Sequence, residues 1–155
     1  MKRNRHLIPL SHQHHDVLMA VLLLKKGLQK QRPINVLIDF IVDFQETCLK
    51  RHFHSEEMAL FPFADRKVDL DNYLNRILQE HRTLAELVTQ ICTERKPELV
   101  LKWATVMEQH IRFEERVLFP FLETNLLEQD LECIGASLQL PRTNYCINYP
   151  IKFWE

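Results

Sequence analysis

Glycine is nearly missing: there are two in 155 residues. Turn-rich β folds use glycine freely, because their tight turns need positive φ, so this scarcity argues against them and for helices. A dominant charge is missing as well. Twenty Lys and Arg stand against 21 Asp and Glu, a formal net charge of −1. The two signs are interspersed, which gives no electrostatic case for nucleic acid or an anionic membrane. The apolar run Val17 to Leu24 is too short to span a bilayer and ends at Lys25-Lys26. No signal peptide is read after the basic stretch Met1 to Arg5, so the expected location is cytoplasmic. The four cysteines, Cys48, Cys92, Cys133 and Cys146, form no C-x-x-C pair. Reduced thiols, buried as small apolar side chains, are expected of them.

What is present is a motif that occurs twice. Residues 52–62 read HFHSEEMALFP and residues 110–120 read HIRFEERVLFP, sharing H-x-x-x-E-E-x-x-L-F-P. On a helix, positions four apart lie one above the other on one face. His52 and Glu56 are therefore one neighbouring pair, and His110 and Glu114 another.

The periodicity predicts four long helices. The first runs from Pro9 or Ser11 to about Lys30, with Gly27 near its end and His12, His14 and His15 in its first turns. On a helical wheel, Val17, Val21, Leu24 and Leu28 cluster on one side. His14 lies at the edge of that cluster, His15 is the next choice for the inward position, and His12 points away. Pro33 opens the second helix, whose face Leu37, Ile41, Phe44 and Cys48 leads to His52, Glu56 and Ala59. Pro62 ends or kinks it. The third helix spans about Asp71 to Arg95, with His81 among Leu74, Ile77, Leu78, Leu84, Val88 and Ile91. Pro97 opens the fourth, with the face Leu99, Trp103, Val106, His110, Glu114, Val117 and Phe121, and Pro120 matches Pro62.

The order is a helix with His, a helix with H-x-x-x-E, and then the same pair again. This reads as an internal repeat, and two copies give an all-α, antiparallel up-down four-helix bundle over residues 9–125. Residues 126–155 add a short extra helix and an aromatic tail (Tyr145, Tyr149, Phe153, Trp154) packed on the same domain.

Such a bundle would bring His14 (or His15), His52, Glu56, His81, His110 and Glu114 to its middle. Buried carboxylates without partners are costly, and two divalent cations would remove the cost. Imidazole with carboxylate suits iron, zinc or manganese. If both carboxylates bridge, each ion receives two imidazoles and two carboxylate oxygens, and a position remains for a small molecule such as O₂. Ferritin-like bundles use Glu-x-x-His, which occurs nowhere in this chain. Glu57 and Glu115 read as surface charges or as partners of the ligands.

On these residues the chain resembles the hemerythrin-like, or HHE cation-binding, proteins. The resemblance rests on His14/His15, His52-x-x-x-Glu56, Glu80-His81 and His110-x-x-x-Glu114 followed by Leu-Phe-Pro. It implies a non-haem centre of two iron ions, with zinc or manganese as lesser alternatives, that binds O₂, NO or peroxide. Two other readings are a di-iron enzyme of peroxide or NO detoxification or of iron–sulfur-centre repair, and a structural bundle without metal. The partners implied are a small diatomic ligand or peroxide, with no nucleic acid and no membrane. Oxygen carriers of the family have a fifth histidine one turn after the one matching His81, where this chain has Ala85. Their second carboxylate is an Asp five residues after its His, where this chain has Glu114 four after His110. The pattern is thus closer to the broader bacterial HHE group.

Overall fold

The computed structural model describes residues 2–138, 140–141 and 144–155. Gln139, Arg142 and Thr143, which fall in the expected extra helix and tail, lie outside them. Among the described residues the protein is an all-α bundle without strands.

Helix α1 is Ile8–Gln29. The chain turns over Lys30 to Arg32, just beyond the helix end, within the expected turn Gln29 to Arg32. The left-handed residue is Gln31, at φ 52°. Gln31 N–H bonds Leu28 O and Arg32 N–H bonds Gly27 O, both at 3.0 Å, which closes a Schellman motif around a non-glycine residue. Gly27 serves a different need. A Cβ there would lie 2.7 Å from Leu37 Cδ2 and 2.9 Å from Phe153 Cδ2, so glycine lets the second helix and the C-terminal tail close on α1.

Helix α2 is built of three segments: Ile34–Phe44, a π-helical turn Gln45–Leu49, and Lys50–Leu60. Pro33 stands just before its first residue, in extended conformation. The chain tightens into a 3₁₀ helix, Phe61–Arg66, around Pro62. Helix α3, Val68–Glu94, begins three residues before the expected Asp71 and ends on Arg95 at φ 54°. Pro97 is the first residue of α4, which comprises Pro97–Phe113, a second π-helical turn Glu114–Leu118, and Phe119–Asn125. Two short helices follow: α5, Glu128–Ser137, and α6, Tyr145–Asn148.

The π turns correct two expectations. A π turn inserts one residue, so positions beyond it move by one on the inner face. In α2 the core residue after Phe44 is Leu49, five positions on, and Cys48 is only partly buried. In α4 the buried residues after Glu114 are Leu118, Phe119 and Leu122, in place of Val117 and Phe121. Leu118 is fully buried and Val117 is 38% exposed. Pro120 does not end its helix as Pro62 does. Phe119 N–H bonds Glu114 O in the wider register, so Pro120, lacking an N–H, leaves the next carbonyl, that of Glu115, without its intrahelical donor. Arg3 Nη2 donates to that carbonyl at 2.8 Å.

The core divides into two apolar clusters. One gathers Val21, Leu24, Phe40, Ile41, Phe44, Trp103 and Phe153. The other gathers Leu7, Leu10, Leu60, Leu74, Leu118, Phe119 and Ile134. Cys146 is buried, whereas Cys92 and Cys133 are exposed, contrary to the expectation that all four thiols are buried. They fall on the outer faces of α3 and α5. No helix among the described residues is long and apolar enough to cross a membrane.

Candidate metal centre

The polar layer of the core is His14 from α1, His52 and Glu56 from α2, His81 from α3, and His110 and Glu114 from α4. Each is at most 4% exposed. The first helix contributes His14, since His15 and His12 are exposed. His54 is also exposed. Ala85 is exposed as well, so the position one turn after His81 does not face the layer. The inward line of α3 alternates steps of four and three, Ile77 to His81 to Leu84, and passes Ala85 by.

The six side chains make two groups of potential ligands: His14, His52, Glu56 and Glu114, and then Glu56, His81, His110 and Glu114. Within each group the ligating atoms lie within 4.8 Å of one another. Both carboxylates belong to both groups. His14 Nε2 stands 3.0 Å from Glu114 Oε2, His110 Nε2 3.2 Å from Glu114 Oε1, and His81 Nε2 3.3 Å from Glu56 Oε2. These approaches lack hydrogen-bond geometry. All four Nε2 atoms and all four oxygens of Glu56 and Glu114 are buried without a hydrogen-bond partner. Among the described residues, one further buried side-chain atom is in that state, Trp103 Nε1. Buried polar atoms are normally paired, and eight unpaired ones converging on one centre fit a site shaped for cations.

The outer nitrogens are all occupied, in a closed ring around the bundle. Gln13 Oε1 of α1 accepts from His52 Nδ1 of α2 at 2.8 Å. Glu57 of α2 accepts from His81 of α3 at 2.8 Å. Glu80 of α3 accepts from His110 of α4 at 2.6 Å. Glu115 of α4 accepts from His14 of α1 at 2.7 Å. A carboxylate or amide oxygen can only accept, so each imidazole holds a proton on Nδ1, which leaves Nε2 facing inward as the atom to offer a cation. Phe53 stacks on His81 with centroids 3.9 Å apart, and Phe119 on His14 at 5.4 Å, which fixes the ring planes.

Without cations the layer's electrostatics are unbalanced. Burial opposes charge on His14, but the carboxylates of Glu114 and Glu115 outweigh it and raise its pKa to about 10. Burial dominates at His52 and lowers it to about 3. Burial alone would raise Glu56, yet the neighbouring His81, with His52 and His14, holds it below the usual carboxylate range. Burial and the charge of Glu56 push Glu114 up. Two carboxylates this close cannot both ionise easily unless positive charge sits between them.

A family model for the hemerythrin HHE cation-binding domain matches residues 6–122. The chain belongs to that family. No curated protein and no solved structure matches it. In this hemerythrin-like bundle the buried His and Glu groups are placed to hold metal ions.

The four ring acceptors are not singled out as such by the sequence. Glu57 and Glu115 each follow the Glu of an H-x-x-x-E pair and were divided between surface and supporting roles. Glu80 was noted only as the neighbour of His81, and Gln13 not at all. A signal was available. Each acceptor adjoins an inward residue in sequence, about 100° round the helix, where it reaches the next helix.

Proposed function

We propose that this protein is a non-haem di-iron protein that reversibly binds O₂ or a related small molecule, NO or peroxide, in the cytoplasm. The observation that carries the reading is the sharing of Glu56 and Glu114 by two four-membered ligand groups. His14 and His52 would hold one ion and His81 and His110 the other, with both carboxylates common to the pair. The donor set contains no thiolate, and imidazole with carboxylate suits iron. The iron pair supplies the redox and ligand-exchange chemistry that such small molecules require.

The chain's own residues do the rest. The ring of Gln13, Glu57, Glu80 and Glu115 holds each imidazole in the tautomer that presents Nε2. The two apolar clusters above and below keep water out. A small depression, with Asp16, Thr47 and Arg51 in its wall, borders Gln13 and His52. The exposed thiols of Cys92 and Cys133 suit a reducing compartment.

The test is to purify the protein from iron-supplemented cells, count metals per chain, and record the visible spectrum in air and after dithionite. Two irons per chain, with near-ultraviolet charge-transfer bands that vanish on reduction and respond to NO, are expected. Zinc alone, or no metal after gentle purification, would overturn the reading. Sustained turnover of peroxide would make the protein an enzyme instead of a binder.

A further inference from the structure

The ring of outer acceptors is not uniform, and its one odd member is Gln13. His81 and His110 both donate to carboxylates, Glu57 and Glu80. His14 donates to Glu115, whose charge is shared with Arg3 at 3.0 Å and with Ser11 Oγ at 2.7 Å. His52 donates to a neutral amide. The amide cannot be turned round, because Gln13 Nε2 donates to the carbonyl of Pro141 in the C-terminal tail at 3.2 Å, and a carbonyl only accepts. Glu80 also meets Arg76 at 2.8 Å, and Arg3 is itself shared between Glu115 and Glu123, so each of these two carboxylates has one cation beside it. Both imidazoles of the His81–His110 side thus donate to carboxylates, and only one imidazole of the other side does.

An anionic acceptor on Nδ1–H makes the opposite nitrogen a stronger donor to a metal, and changing such partners alters metal affinity about 10- to 100-fold. We infer that the two metal positions are unequal, that the His81–His110 position fills first, and that Gln13, latched by the tail, is the positioning residue that sets the order. This rests on the dinuclear reading above and adds to it a filling order and its cause.

The test uses Zn²⁺, which is diamagnetic and has no redox chemistry. The full-length, metal-free protein, labelled at histidine, is titrated while the imidazole NMR signals are followed. Each signal is assigned by single His→Gln variants. The expected result is that the first equivalent shifts His81 and His110 and the second shifts His14 and His52. In Gln13→Glu, close in size to the wild type, His52 and His14 should gain about 10-fold or more in competition for the first equivalent. In Glu57→Gln the His81–His110 position should lose a similar factor. Simultaneous shifts of all four histidines in the wild type, the reverse order, or an order unmoved by Gln13→Glu would overturn the inference while leaving the dinuclear centre standing. No shift at any of the four would overturn both.

Discussion

At the scale of single residues, the centre is a set of groups that disagree about their charge until cations arrive. His14 is raised to about 10 and His52 lowered to about 3, and the two act on stability with opposite signs. A raised His contributes stability that is complete below its unfolded pKa, near 6.5, and is lost as pH climbs toward 10. A lowered His contributes a penalty that is absent above 6.5 and grows as pH falls toward 3. Urea unfolding of the chelator-treated protein should therefore give a midpoint that peaks near pH 6.5 and declines on both sides. Saturating metal should remove the alkaline decline, since a ligated His14 carries no proton to lose; an alkaline limb that persists with metal would contradict this. Glu114→Gln probes the same layer differently. The wild type should gain about 2.7 kcal/mol for each ion held at a hundred-fold excess over its Kd. The variant should gain little, because it offers one oxygen where two are shared. Thermal melts with and without metal measure the difference, and an equal gain in both proteins would remove Glu114 from the centre.

At the scale of elements, the π turns decide which side chains reach the middle. A strict 100° step places Trp103, His110 and Glu114 of α4 inward, leaves Leu99 and Val106 only half-buried beside Val100 and Met107, and fails at Val117. The extra residue in Glu114–Leu118 hands the inner position to Leu118. This register makes a sharp distinction between neighbours. Leu118→Ala should cost about 2–5 kcal/mol, as a buried leucine does. Val117→Ala, at an exposed position, should stay within about 0.5 kcal/mol. Chemical denaturation of the two variants checks it, and comparable losses at both sites would argue for an uninterrupted α-helix there. The insertion also limits the repeat. In α2 the π turn precedes the H-x-x-x-E pair, whereas in α4 it starts at the Glu, so Pro62 and Pro120 occupy matching sequence positions and different structural ones.

At the scale of the whole molecule, the polar layer divides one core into two apolar clusters, and cations shared through Glu56 and Glu114 would tie all four long helices across the division. Removing the metal should loosen that level first. Amide hydrogen exchange in the turns carrying His14, His52, His81 and His110 should quicken on chelation far more than in the Phe40–Trp103 cluster, and metal should restore it. Uniform acceleration throughout the chain would show instead that metal acts only on global stability.

Much of this was legible in the chain itself. Two glycines, prolines at helix starts, and a repeated pair of His and Glu at i and i+4 determine an all-α bundle with six inward ligand candidates, because helical geometry is local and periodic. The wheel favours His14, at the edge of the apolar stripe, over His15, 100° further round, and the packing of α1 on α4 decides for His14. The π turns, the ring of acceptors passing from each helix to the next, and the tail's hold on Gln13 depend on distances between residues far apart in sequence. Only the tertiary structure, in which those helices touch, determines them.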